Sequence, residues 1–356
     1  MKTLPAFFYL RSWKIACVVI LLYIFIGGML VPLGSGILSV TPSTITSTGN
    51  TTFQVRTYNA YFNQYGNQTS CWLKSKNDWI KIDSLTFSGE NSFSFTLKVD
   101  TPLLQSIASS HLDLLINNSY SGNVILRDAL IIGNQYTGLI GVSDDKQFFN
   151  TPIVSHNKGS AFVFPFREIL FESIRNTFYH VPMWFAMLFL ITLSLFFSIR
   201  FLYKENSMDD LFAAAFASVS LVFAACGIVT GMIWAKHTWG AWWPNDPKLN
   251  GAAIGVAMYL AYSVLRNSIP DPIKRARISA VYNIFAFVIY ILFIFILPRI
   301  TDSLHPGNGG NPAFSKYDLD SHLRLFFYPA IIGWILLSLW ISSLLIRIQK
   351  LENESN

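Results

Sequence analysis

The stretch Leu211–Ala235, LFAAAFASVSLVFAACGIVTGMIWA, runs straight into Lys236-His237-Thr238-Trp239-Gly240-Ala241-Trp242-Trp243-Pro244-Asn245-Asp246-Pro247-Lys248-Leu249-Asn250. Its uncharged apolar part exceeds the roughly 20 residues that a helix needs to cross a bilayer. Ile15–Leu33, Val181–Ile199, Ile278–Pro298 and Leu325–Ile346 reach about that length, also without a charged side chain. Gly251–Leu265 is shorter, but Leu249 and Asn250 extend it, and the chain must cross once more between its neighbours. In hydrocarbon a helix satisfies its own backbone. The reading is therefore an all-α polytopic membrane protein with six transmembrane helices.

Composition agrees. Of 356 residues, 52% are hydrophobic, 15% aromatic and 13% charged, whereas ordinary soluble domains carry about 25% charged residues. Soluble enzymes and disordered chains are excluded by the same figures. The net charge of +6 does not point to nucleic acid, because the basic residues flank the apolar runs. With the N-terminus cytoplasmic, the inner segments hold 11 Lys and Arg (Lys2, Arg11, Lys14, Arg200, Lys204, Arg266, Lys274, Arg275, Arg277, Arg347 and Lys350). The short outer loops hold 5, namely Lys236, Lys248, Arg299, Lys316 and Arg324. That bias places both termini inside. The first run ends in Val31-Pro32-Leu33-Gly34 without a small-residue cleavage pattern, so it reads as a retained anchor. Cys17, Cys71 and Cys226 are too scattered for a disulfide framework or a zinc site.

Between the first two spans the texture changes. From Gly34 to Tyr179 the 10 basic and 10 acidic residues cancel, and Ser, Thr and Asn are frequent. Apolar alternation at Phe53, Val55 and Thr57, at Phe93, Phe95, Leu97 and Val99, at Leu112 and Leu114, and at Val124 and Leu126 predicts a small extracytoplasmic β-sandwich-like domain over 34–160. His111 and His156 stand alone in it and read as structural or surface residues. Phe162–Phe178 has helical spacing, read as an interfacial helix or a linker over 161–180. A five-helix membrane core follows over 181–348, with the Trp-rich loop at 236–250 and a cytoplasmic tail at 349–356.

Candidate chemistry gathers on the outer side. Trp234, Trp239, Trp242 and Trp243 put four indoles in ten residues, where an ordinary interfacial belt carries one or two per helix end. Gly240 and Pro244 break the helix, and Asn245, Asp246 and Lys248 sit among the rings, which suits a platform for a large flat ligand. The topology brings His180, His237, His305 and His322 to that boundary. Two imidazoles and a floor of indoles are what haem requires: axial nitrogens for iron and apolar faces for the macrocycle. Lys236, Lys248, Arg299 and Arg324 are cations within topological reach of its propionates, or equally of lipid headgroups.

These residues carry a resemblance. Trp239-Gly240-Ala241-Trp242-Trp243-Pro244-Asn245-Asp246 resembles the Trp-rich loop of the haem-handling family of cytochrome c assembly proteins, W-G-x-W/Y-W-x-W-D-x-x-x-T. His180-Val181-Pro182 at a helix start and His305 in the last outer loop resemble the flanking histidines of its CcmC branch, over roughly Asn176 to Arg347. Asn245 replaces the family's usual Trp and Asn250 stands near its usual Thr, which thins the platform on that side. Asp246-Pro247-Lys248 also resembles the CcsA branch. The resemblance implies a non-enzymatic haem handler of the bacterial inner membrane. It implies haem b as the bound and transported ligand, with His180 and His305 as axial ligands of its iron. Trp234, Trp239, Gly240, Trp242, Trp243, Asp246, Lys248 and Arg299 would surround it. The implied partners are a periplasmic haem chaperone and an ABC-type haem-release complex with small membrane subunits. No Walker-type loop is present, so energy comes from partners. Three rivals stay open: a CcsA-like haem synthase that attaches haem directly to apocytochrome, a b-type electron carrier, and a haem-independent transporter. The carrier reading is weakened because no span interior contains a histidine.

Overall fold

The computed structural model describes residues 10–76, 78–107, 109–120, 122–133, 161–305 and 319–355. His156, Lys2 and Lys316, and the end of the predicted β domain, lie outside the described residues. Helix α1 (Ser12–Leu30) is followed by nine strands: β1 (Gly36–Thr41), β2 (Thr44–Ile45), β3 (Gly49–Tyr58), β4 (Ser70–Ser75), β5 (Asp78–Ile82), β6 (Thr86–Gly89), β7 (Ser92–Val99), β8 (His111–Asn118) and β9 (Gly122–Ile132). Five long helices follow among the described residues: α2 (His180–Lys204), α3 (Ser207–Trp239), α4 (Pro247–Ser268), α5 (Pro272–Ile291) and α6 (Ser321–Ser355). Among the described residues, six helices are long and apolar enough to cross a membrane. The chain forms two compact units, Val31–Phe171 and, around α1, the residues from Glu172 onward.

Within Val31–Phe171, β1-β3-β7-β6 and β2-β9-β8-β4-β5 form two sheets. The alternation read from sequence is realised: Phe53 lies opposite Phe95 and Val55 opposite Phe93, and all four enter one core with Leu73, Leu112, Leu114 and Ile116. Cys71 is buried in that core, and burial pushes its thiol well above the ordinary range. His111 is exposed beside Asp128.

The segment read as helical over Phe162–Phe178 divides. Phe164 instead lies extended against Leu33, its N–H donating to Pro32 O and its carbonyl accepting from Gly34 N–H. Phe166 packs on Tyr58. Only Phe171–Phe178 is helical, as a tight 3₁₀ stretch leading towards α2.

In the helical unit α3 is the most enclosed of the six spans. Its N-terminus is capped by Asn206, and its end is set by Gly240 at φ 77°, a left-handed conformation that glycine adopts without strain. Asp246, with Pro247 behind it, caps α4, and Asp271, with Pro272, caps α5. At the end opposite the Gly240 and Asp246 turns, Arg266 forks onto both oxygens of Asp210 at 2.6 Å. Arg200 pairs with the buried Asp209 and Arg277 with Glu205. Three of the cations counted as inner therefore close ion pairs that tie α2 through α5 together.

Inside the bundle Asn283 of α5 donates to Ser194 and Ser198 of α2 at 2.8 and 2.9 Å, all three side chains being buried. Interhelical bonds of this kind contribute about 0.6–2 kcal/mol in a membrane protein. Asn283→Ala is expected to lower the unfolding free energy of the solubilised protein by that order. A denaturant titration of the two forms measures it, and superposable curves would show the cluster to be energetically idle.

Candidate functional site

The start of α2 is pinned from two sides. Arg175 donates to the carbonyl of Gly28, near the end of α1, at 2.6 Å, and Trp334 of α6 donates its indole N–H to the carbonyl of Phe178 at 3.1 Å. His180 follows as the first residue of α2. Its Nδ1 lies 3.0 Å from the carbonyl of Gly227 and 3.2 Å from Thr230 Oγ1, both on α3. A carbonyl only accepts, so Nδ1 carries the proton and Nε2 keeps its lone pair. Trp184 and Trp234 meet the ring edge-on, with centroids at 6.3 and 5.6 Å.

His305 arrives from the segment after α5. Helix α5 passes through a π-helical turn, Leu292–Ile296, and a last turn, Leu297–Ile300. His305 Nδ1 then lies 2.9 Å from Asp246 Oδ1. Asp246, 1% exposed, also accepts from the N–H groups of Lys248 and Leu249 and from Ser303 Oγ and Leu304 N–H. Burial by itself would raise this carboxyl. The hydrogen bonds from His305, Ser303 and Leu304 outweigh it and hold the group well below the usual carboxylate range. An ionised carboxylate only accepts, so Nδ1 of His305 is the donor in this bond and Nε2 is the ring nitrogen not engaged by Asp246.

The structure brings His180 and His305 to the same end of the bundle, within electrostatic reach of each other and of Lys248, with Arg299 in reach of Lys248. The Trp-rich segment is shorter as a loop than its sequence span. Trp234, Lys236 and Trp239 lie on the last turns of α3, and α4 begins at Pro247, leaving 240–246 as the connection. Trp239 meets the His305 ring at 5.1 Å. Trp242 and Trp243 are 54% and 39% exposed. Trp234 Nε1 is a buried donor with no hydrogen-bond partner among the described residues. The two departures from the family pattern join each other: Asn250 donates to Asn245 at 3.0 Å and accepts from the Trp243 indole at 3.1 Å, which fixes that ring. Lys236 is engaged with the carbonyl of Gly240, and Arg299 is exposed.

Sequence reading passed over Gly227 and Gly231, whose four-residue spacing inside an apolar helix was the available signal. A Cβ on Gly231 would stand 2.7 Å from His180 Cε1, so the bare glycine face is what admits the ring. Ser303 and Thr230, which also touch the two imidazoles or their anchors, had no sequence signal.

Among the described residues no group of three or more His, Cys, Asp and Glu is placed to hold a metal ion. A bare cation needs more donors than two imidazoles supply. Iron in a macrocycle brings four nitrogens of its own and needs two more. The donor set, the exposed indoles and the neighbouring cations fit haem.

Similarity to known proteins falls on the part of the chain that carries this site. The family model for heme exporter protein C, CcmC, matches residues 160–356. Heme exporter protein C of Paracoccus denitrificans (strain Pd 1222) is 27% identical over 135 residues, 38% of this chain and 56% of that protein. The protein of that name from Rhodobacter capsulatus is 26% identical over 136 residues, 38% and 56% of the two chains. The one from Escherichia coli (strain K12) is 25% identical over 134 residues, 38% and 53%. The chain spans about half the length of the curated relatives it matches. Because the matched model covers more than half of its residues, this chain belongs to the heme exporter protein C family.

Proposed function

We propose that the chain holds haem as cargo at the outer end of its helix bundle, ligated by His180 and His305, and releases it for the maturation of c-type cytochromes. The observation that carries this reading is the common state of the two imidazoles. Each Nδ1 is committed to an acceptor on the protein, which leaves Nε2 of each ring for iron, and the two residues lie within electrostatic reach of each other. Haem supplies the iron and its four in-plane nitrogens. Trp234, Trp239, Trp242 and Trp243 then offer apolar faces to the macrocycle around the Gly240 turn. Lys248 and Arg299 face its propionates.

The names of the relatives support export of haem. The basic bias of 11 against 5 supports an outer, periplasmic site on a bacterial inner membrane, with both termini cytoplasmic. The β unit after the first span is then extracytoplasmic. A site at a solvent edge suits a handler that must let its cargo go. Haem b passes to a periplasmic haem chaperone, and an ABC-type complex with its small membrane subunits supplies the energy. The chain itself makes no covalent bond.

The test is to titrate the purified, detergent-solubilised protein with haem and then add the apo chaperone. A six-coordinate, low-spin spectrum that moves to the chaperone on mixing is expected. Failure to take up haem would refute the reading. Covalent holocytochrome formed without a chaperone would replace it with the CcsA-like synthase.

A further inference from the structure

Asp246 stands out from every other polar group at this end of the bundle. It is almost wholly buried, and its two oxygens accept five hydrogen bonds. Three come from the 303–305 segment, from Ser303 Oγ, Leu304 N–H and His305 Nδ1. Two come from the first turn of α4, from Lys248 and Leu249 N–H. A carboxylate has about four lone-pair sites, so these partners leave nothing over for a ligand. Sequence reading had put Asp246 among the groups that touch haem.

We propose instead that Asp246 is a positioning residue that acts through His305, fixing the aim and tautomer of that imidazole and tying it to the N-terminus of α4. This rests on the reading of His305 as an iron ligand. The physical basis is twofold. A carboxylate behind a ligating imidazole locks Nδ1–H in place and makes Nε2 a stronger donor. The same oxygen caps α4, so the segment carrying His305 cannot shift without pulling on the helix that follows the Trp-rich turn. His180 is backed by a neutral carbonyl instead. The two axial positions are therefore unequal, with His305 the more basic and the more charge-stabilised of the pair.

Asp246→Asn keeps the cap, because asparagine caps a helix about as well as aspartate and its Oδ1 still accepts from imidazole without the negative charge, while its amide NH2 gives up acceptance from Ser303 and Leu304. The wild type, D246N and His305→Ala are loaded with haem in detergent, and dissociation constant, spectrum and reduction midpoint are read for each. D246N is expected to bind haem about ten- to a hundredfold more weakly, and its bound haem is expected to be easier to reduce, since a less basic ligand set favours the ferrous state. A purely structural role moves stability but not the midpoint.

If D246N keeps the wild-type midpoint and affinity while H305A loses its low-spin spectrum, the positioning role is overturned and the haem reading stands. If the wild type itself gives no six-coordinate haem, the haem reading fails and this one with it. Should D246N not fold, Ser303→Ala removes one donor to Asp246 from the His305 side and leaves the cap of α4 in place. A smaller fall in haem affinity than in D246N supports the proposal, and an unchanged affinity overturns it.

Discussion

Replacing either His180 or His305 with alanine is expected to turn the bound haem from six-coordinate, low-spin to five-coordinate, and the double variant is expected to bind no haem through iron. The size of the effect follows from what each side chain is linked to. Loss of a group that merely supports a ligand costs about ten- to a hundredfold in affinity, and loss of the ligand itself costs at least that. Neither substitution threatens the fold on the same scale. His180 occupies the first position of α2 and gives up one neutral hydrogen bond to Gly227, a net cost of about 1 kcal/mol. His305→Ala leaves Asp246 with four of its five donors. The single variants should still differ. With His180 gone, the remaining ring is the one backed by a carboxylate; with His305 gone, it is the one backed by a carbonyl. His180→Ala should therefore retain haem better than His305→Ala. Adding imidazole to the single variants should restore the low-spin spectrum, and His237→Ala, at an exposed position on α3, should leave it unchanged. Wild-type spectra from both single variants would remove the ligand pair.

Much of this was legible because the bilayer is a strict solvent. A helix must be long and uncharged to cross it, so five spans stood out as runs. The sixth looked short because α4 takes in Pro247–Asn250 at one end and runs on to Ser268 at the other. The signal for its true start was Asp246-Pro247, a side-chain cap followed by the one residue whose missing N–H costs nothing there. That dipeptide was read as chemistry among the indoles and turned out to carry helix architecture as well. The Trp-rich loop was drawn too long for the complementary reason: α3 continues through Trp239 until Gly240 turns it.

In the β unit the two-residue period gave the core but not the order of the sheets, since pairing between distant strands leaves no local mark. The error over residues 162–170 has the same origin. Phe162, Phe164 and Phe166 recur every second residue and fit a strand as well as one face of a helix, and Phe164 took the extended option against Leu33. Topology gathered four histidines, because alternating spans sort loops by side, and the resemblance singled out His180 and His305 among them. Their second partners were not legible. The carbonyl of Gly227 has no residue-type signature, and the Asp246 to His305 bond spans 59 positions.

Gly231→Ala is expected to separate haem binding from stability with a single methyl group. The added carbon would stand 2.7 Å from His180 Cε1 and 3.2 Å from Nδ1, inside van der Waals contact with a ring that has little room to yield. Its Nδ1 is held by the Gly227 carbonyl at 3.0 Å, and Trp184 and Trp234 flank its edges. Either the ring turns away and gives up that bond, or α2 and α3 part. In stability the terms oppose each other. Alanine is about 1 kcal/mol better than glycine in a helix, and overpacking costs about 1–3 kcal/mol, so the melting temperature of the haem-free protein should move little. For haem nothing compensates. The His180 Nε2 leaves its axis, and affinity should fall about tenfold or more, with the spectrum shifting towards the five-coordinate form of His180→Ala. The two substitutions should be non-additive when combined, because both remove the same ligand. A fully additive double variant would mean that Gly231 acts on haem by some route other than His180, and an unchanged spectrum in Gly231→Ala would mean that α3 does not hold that imidazole at all.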